Sequence, residues 1–349
     1  MFQTGKKRRI TIKDVAQSAG VSTQTVSRVM NKLPGVSKGT RQRVETIVEQ
    51  LSYYPSQLAR SLIRQHSYTL GIVTFELRHI GPSQTLNGIT DQANRLGYML
   101  LLKELDSFNI NKIDEVIDSL LARQVDGIIW VVPEIGDNHA WLKSRMNKLS
   151  VPILFLAMRP RDGVSSIGTD NFHGAQMAVQ HLVDCKQKKI GHISGPANWW
   201  EAEERKRGWR EALMVAGLDM SELQCVAGDW TSASGEYAFA KLLASFPEMD
   251  AVFVANDQMA LSVLQAALCR GIRIPEQLAV VGFDNIPESA YFYPSLTTIH
   301  QDLQVLGEHA VKSIVCMIQS RRKNQFVVAQ SRFIKPTLVV RESSKCISS

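Results

Sequence analysis

The chain has 349 residues, 44% of them hydrophobic and 21% charged, enough for a sizeable core and too apolar for a disordered segment. Its net charge of +7 is unevenly spread: residues 1–66 hold twelve Lys/Arg against three acids, which leaves the remaining 283 residues slightly acidic. No apolar run reaches bilayer length, and the Lys6–Arg9 cluster runs into a polar helix instead of a secretory segment. The five cysteines (Cys185, Cys225, Cys269, Cys316, Cys346) lie far apart without metal-ligand spacing and read as reduced thiols.

A first helix is predicted from Thr11, which can cap it, with Asp14 three residues on as the reciprocal acid. Val15, Ala16 and Ala19 give it an apolar face, and Gly20 ends it. Ser22 caps a second helix over 23–31, with Val26, Val29 and Met30 at inward spacing. Its outward set is Thr23, Gln24, Ser27, Arg28 and Asn31, the residue types that read base edges in a major groove. Two helices joined by a short Gly-containing turn form a helix-turn-helix pattern, the second being the reader. Leu33-Pro34-Gly35 breaks the chain, Ser37 caps again, and Val44, Ile47, Val48 and Leu51 mark the inner face of helix three. A solvated three-helix domain would show the same polar face. The concentrated positive charge is what favours phosphate as its partner.

From Tyr68 the rhythm changes to alternating strands and helices. Apolar runs at 70–75, 99–102, 127–132 and 153–156 read as buried parallel strands, with amphipathic helices at 85–96 and 113–122. A second series follows: strand 189–194, helix 202–216, strand 224–227, helix 234–244, strand 251–255, helix 257–269 and strand 278–282. The tail adds strand 296–299, helix 303–319 and short strands at 327–330 and 337–340. The class is α/β: an N-terminal all-α head, then a body of two doubly wound parallel-sheet subdomains.

Such sheets bind ligands beyond the carboxyl ends of their strands. Asn256 and Asp257 follow one strand end, Asp284 another and Asp170 a third, while Arg205 opens the helix after Ser194-Gly195-Pro196. A carboxylate accepts from adjacent hydroxyls, a guanidinium donates a planar fork, and an amide does both. Trp230, with Trp199 and Trp200, offers a flat apolar face for the C–H side of a sugar ring. Trp200, Asp257 and Gln301 would serve equally as packing, capping or hinge residues. Arg205 and Asp284 are favoured for the site, because a buried ion pair without a ligand gains little over its desolvation.

DVAxxAGVSxxTVSRVxN (Asp14 to Asn31), VSxxTRxRV (Val36 to Val44) and LxYxPxxxARSL (Leu51 to Leu62) resemble the head of the lac repressor (LacI/GalR) family of transcription regulators. GDW at 228–230, ANDQMAL at 255–261, VVGFD at 280–284 and PSLTTIxQD at 294–302 extend the resemblance through the body, most closely to the lac repressor's sensor. The resemblance implies a DNA-binding domain at 1–54, a hinge helix at 55–66, an effector-binding and dimerisation domain at 67–341 and a tail at 342–349. It implies a periplasmic-binding-protein-like body with three crossovers, its subdomains at about 67–165 with 297–325 and about 166–296 with 326–341. DNA contacts are implied at Thr23, Gln24, Thr25, Ser27, Arg28, Asn31, Ser37, Thr40 and Tyr53, with Leu62 wedged into the minor groove. Effector contacts are implied at Arg205, Trp230, Asn256, Asp284 and Gln301, with Pro82 and Glu201 in the same cleft and Asp170 beside them.

The expected function is that of a cytoplasmic repressor: a homodimer on an inverted-repeat DNA operator, controlled by a small sugar, with no cofactor and no membrane. The chain ends soon after Arg341 without a leucine heptad, so a dimer is expected and not a tetramer. Ala157 stands where the lac repressor has an aspartate, Glu201 where a small hydroxyl residue is usual, and Thr23 where its reading helix has tyrosine. A galactoside is the first expectation, with another mono- or disaccharide close behind. A sugar-binding transport receptor would share the body, but it would need a signal peptide and has no use for a cationic head. An NAD- or sugar-handling enzyme finds no support: G-x-G-x-x-G after the first strand, G-x-x-x-x-G-K-[ST], G-x-S-x-G and H-E-x-x-H are all missing.

Overall fold

The computed structural model describes residues 10–53, 66–107, 109–135 and 138–344. The chain divides into two units, Met1–Ser67 and Tyr68–Ser349. Leu62, with residues 55–65 of the hinge expected over 55–66, and residues 345–349 of the tail lie outside the described residues.

The first unit holds α1 (Ile12–Ala19), α2 (Thr23–Met30) and α3 (Lys38–Gln50). Each start is capped as the sequence dictates. Asp14 accepts from the Thr11 backbone N–H and hydroxyl, both at 2.7 Å, while Ser22 accepts from Thr25 N–H at 3.1 Å and Ser37 from Thr40 N–H at 3.3 Å. These side chains satisfy N–H groups that a helix's first turn leaves without a carbonyl. Val15, Ala16, Ala19, Val26, Val29, Val44 and Tyr53 close the core between the three helices.

The second unit contains two six-stranded sheets. The first uses β1 (Thr69–Thr74), β2 (Met99–Glu104), β3 (Gly127–Val131), β4 (Ile153–Leu156) and β5 (Ser166–Thr169), with α4 (Ile80–Arg95), α5 (Ile110–Leu121) and α6 (Asn138–Arg145) among them. The second begins with α7 (Asn171–Asp184) and continues through β6 (Ile190–Ser194), α8 (Trp200–Val215), β7 (Cys225–Ala227) and α9 (Ser232–Ser245). It then runs through β8 (Ala251–Val254), α10 (Asp257–Cys269), β9 (Ala279–Asp284) and β10 (Thr297–His300). The chain returns to the first sheet with α11 (Leu303–Arg322) and β11 (Ser331–Ile334), and ends in the second with β12 (Thr337–Val339). The orders are β11-β5-β4-β3-β1-β2, all parallel, and β12-β10-β9-β8-β6-β7, parallel except for β12. Central strands such as β3 (GIIWV) and β8 (AVFV) are buried at every residue, as a sheet covered on both faces requires.

Three segments cross between the sheets, and each crosses later than expected. The crossings follow Thr169, His300 and Ile334, in place of about 165, 296 and 325. β5, β10 and β11 each pair in the sheet the chain is leaving, so the turn after each strand, and not the one before it, makes the crossing. The first of the two short tail strands is likewise displaced, from 327–330 to Ser331–Ile334. Phe326 and Val328 are exposed, and the pairing is set instead by Ser331 opposite Ser166, whose hydroxyls bond at 2.9 Å. Two glycines bring α4 and α11 into backbone contact. A Cβ on Gly88 would lie 2.1 Å from the Gln304 carbonyl, and one on Gly307 would lie 2.4 Å from that of Thr85. Cys225, Cys269 and Cys316 are free, but Cys185 is disulfide-bonded, which corrects the reduced-thiol expectation for that residue.

Candidate functional site

In the head, α2 places Thr23, Gln24 and Arg28 on its exposed side, with Thr25, Ser27 and Asn31 half-buried behind them. Asn31 Nδ2 donates to Ser27 O at 2.8 Å, and Thr25 shares a 3.0 Å hydroxyl bond with Ser22, so both are held by their own helix. Ser37 is exposed, and its hydroxyl donates to Thr40 Oγ1 at 2.9 Å at the start of α3. Tyr53, expected at the DNA, is only 9% exposed and packs in the head core. Arg41 is also committed internally, donating to Leu33 O at 2.9 Å and so bracing the turn between α2 and α3.

In the body, strand ends and helix starts of both sheets enclose a cavity of about 160 Å³. That is room for on the order of ten waters. One wall comes from the first sheet and α4: Phe75, His79, Pro82, Leu156 and Ala157. The other comes from the second sheet and its helices: Trp199, Trp200, Glu201, Arg205, Trp230, Asn256, Asp284, together with Gln301 from the crossing after β10.

Arg205 is the centre of the polar wall. It projects from α8, is 5% exposed, donates from Nε to Asn171 Oδ1 at 2.8 Å and from Nη1 to the Ala255 carbonyl, and lies 3.7 Å from Asp284 Oδ1. Its guanidinium stacks 3.7 Å over the Phe283 ring and stands 5.5 Å from that of Trp230. Asp284 ends β9 at φ 116°, accepts from Gln301 Nε2 at 2.6 Å, and is pushed up to about 6 by burial against the opposing pull of Arg205 and Gln301. Asn256 caps α10 through Met259 N–H at 2.9 Å and donates to the Trp230 carbonyl at 2.9 Å. The indole of Trp230 lies against Gly195, where a Cβ would come within 2.1 Å of the ring. Glycine is what admits the plate there.

Glu201 lies on the first turn of α8 and is pushed up to about 7 by burial. Because the folded state holds this proton above the ordinary carboxylate range, stability is full below about pH 4.5 and falls as pH rises through about 7. Glu201→Gln is therefore expected to raise unfolding free energy by about 1–3 kcal/mol near pH 8 and by little near pH 5. Denaturant unfolding at the two pH values checks this; an equal change at both would deny a buried charge.

Two sequence candidates do not reach the cavity. Asp170 instead caps α7, accepting from His173 N–H at 3.0 Å, because the strand-to-helix turn after β5 spends its carboxylate on the helix start. Asp257 is fully buried one layer behind, accepting from Thr298 Oγ1 at 2.6 Å and Ile286 N–H at 2.9 Å, and burial pushes it up to about 8. Sequence reasoning missed Asn171, which orients Arg205 from the start of an unrecognised helix, and missed His79 and Phe75 on the opposite wall. An Asn directly after the strand-end Asp170 was the only available signal.

Residues 11–56 match the family described as bacterial regulatory proteins, lacI family, and residues 179–344 match a periplasmic binding protein-like domain. The HTH-type transcriptional repressor PurR of Haemophilus influenzae is 32% identical over 338 residues, 97% of this chain and 99% of that protein. The lactose operon repressor of Escherichia coli is 32% identical over 315 residues, 89% of this chain and 86% of that one. A lac repressor dimer bound to operator and the anti-inducer ONPF matches with a TM-score of 0.88 at 30% identity, covering 97% of this chain and 99% of the other. The transcriptional regulator CelR in its cellobiose complex matches at 0.72 and 28% identity, covering 96% and 100%. With its head, its paired sheets and near-full-length relatives in agreement, the chain belongs to the lacI family of bacterial regulatory proteins, DNA-binding transcriptional repressors and not enzymes.

Proposed function

We propose that the chain acts as a homodimer whose two heads hold the half-sites of an inverted-repeat operator while the body senses a small carbohydrate. On the DNA side, Thr23, Gln24 and Arg28 of α2 read base edges, and Ser37 and Thr40 meet phosphate from the start of α3. The observation that carries the ligand assignment is the fork of Arg205 beside Asp284 and Gln301, set next to the Trp230 plate. Donor, acceptor and amide converge where ring hydroxyls need them, and an indole covers the apolar face. The related CelR structure holds cellobiose, which supports the class. Ala157 leaves the β4 end without a carboxylate, so mono- and disaccharides other than galactosides stand beside the galactoside expectation. For the dimer, exposed Met99 and Leu102 on edge strand β2 and exposed Leu261 and Leu268 on α10 are apolar surface that a second copy would cover.

Calorimetric titration of mono- and disaccharides into the full chain, followed by anisotropy with a duplex selected from random DNA, tests the reading. One sugar is expected to bind and to change operator affinity about 5- to 150-fold. A panel in which no sugar binds, or in which binding leaves operator affinity unchanged, rejects it.

A further inference from the structure

The tail run that reads as a strand at 327–330 is left unused by the fold. Phe326, Val327, Val328 and Ala329 have no backbone hydrogen bond among the described residues, and they lie alongside the 160–163 loop that precedes β5. Phe326 is 92% exposed and Val328 64%, yet aromatic and β-branched side chains are the types that sheets favour. The run leads into β11, an edge strand with β5 on one side and no strand on the other. Such an edge offers unpaired N–H and C=O groups to any extended chain laid beside it. Phe333, 44% exposed, carries the apolar surface on along β11.

Charge decides what fits there. Between Glu308 and Glu342 the sequence has seven Lys/Arg and no acid, in a body that is slightly acidic as a whole. Four of the seven are spent inside the chain: Lys312 on Glu308, Arg321 on the Leu149 carbonyl, Arg322 on Asp126 and Arg341 on the Leu296 carbonyl. Lys323, Arg332 and Lys335 are exposed and have no ion-pair partner among the described residues. A second copy of the chain would bring the same cations to the same edge and be repelled. The opposite edge of this sheet, β2, is the one proposed above for the dimer.

We propose that this edge docks an extended acidic segment of another protein, which adds a strand beside β11 and residues 326–329 and sets its carboxylates on Lys323, Arg332 and Lys335. Backbone pairing supplies affinity, Phe326, Val328 and Phe333 supply apolar contact, and the cations select an acidic strand over a neutral or basic one.

The test is anisotropy of short labelled peptides titrated with the full chain: alternating Val-Glu, alternating Val-Lys and alternating Ser-Glu. The Val-Glu peptide is expected to bind at least about tenfold more tightly than either of the others, since only it joins strand-forming side chains to carboxylates. Val328→Pro, and separately Lys323→Glu with Lys335→Glu, should each lose at least about tenfold of that affinity while still unfolding cooperatively. Hydrogen exchange on the wild-type chain locates the peptide without any variant. Slowing is expected at 326–334, and slowing only elsewhere overturns the proposal. Equal binding of Val-Glu and Ser-Glu, or binding undiminished in the folded variants, also overturns it, because charge alone would then explain the contact. If Val-Glu does not bind, the proposal falls and the cations are guards against self-pairing. Two further results reject it by naming another occupant. Sedimentation might reveal assemblies that Val328→Pro dissolves, which puts a second copy on this edge; or phosphatidylglycerol vesicles bind through these residues while no peptide does, which makes it a lipid surface.

Discussion

Arg205→Ala is expected to bind operator as the parent chain does and to ignore effector, with effector affinity reduced at least about a hundredfold, or roughly 3 kcal/mol. The side chain gives the cavity its only guanidinium among the described residues, and Asn171, the Ala255 carbonyl and the Phe283 ring hold it in one pose. Truncation removes the fork and leaves Asp284 buried without its cation, a loss that typically costs several kcal/mol of stability. Here the cost has an outlet. Asp284 is already pushed up to about 6, so it can take a proton, and the destabilisation should be smaller near pH 5 than near pH 8. Anisotropy on operator with and without effector, together with unfolding at both pH values, measures these effects. Loss of operator binding by a demonstrably folded variant would place Arg205 outside the ligand site.

A second large effect concerns salt. If the two heads of a dimer neutralise roughly six to ten phosphates, operator affinity should fall about 10³- to 10⁵-fold between roughly 50 and 200 mM salt. The exposed cations Lys13, Arg28, Lys38 and Arg43 are candidates for these contacts, whereas Arg41 is spent on the backbone at Leu33. Lys38→Ala should flatten the plot of log affinity against log salt by about two for a dimer, close to one released ion per head, with little change in sequence preference. Arg28→Ala should relax specificity. A salt slope near zero would contradict phosphate contact as the source of affinity.

The sequence was most informative where short-range chemistry decides structure. Ser22 and Ser37 each begin a helix because each supplies an acceptor to an otherwise unpaired N–H, and at the first helix the Asp14 carboxylate does this for Thr11 N–H; all three are visible at three-residue range. The fully buried strands β3 and β8 were equally plain from their unbroken apolar runs. Residues whose role depends on a distant partner were less legible. The apolar appearance of Val327-Val328 suggested a strand, but the paired segment is the polar Ser331–Ile334, selected by Ser166 from more than a hundred residues away. Helix α7 escaped notice because the first half of its inner face is Gly174, Ala175 and Ala178, and only Val179 and Leu182 near its end are large apolar residues. At the site, Asp284 was identifiable from its strand-end position and Arg205 from its place near the start of the helix that follows β6. Asp170 and Asp257 occupy equivalent positions, yet local N–H and hydroxyl donors claim them before any ligand can.

The glycine crossing of α4 and α11 has a mechanical consequence. The first turn of α4 forms part of the cavity wall through Ile80, Gly81, Pro82 and, one turn on, Thr85, and the helix then runs sixteen residues, about 24 Å, to Arg95. Where backbones touch without intervening side chains, there is no soft layer to absorb displacement. A guest pressing on the near end of this rod is therefore expected to move α11 with it, a helix whose own first turn lines the cavity through Leu303 and Leu306.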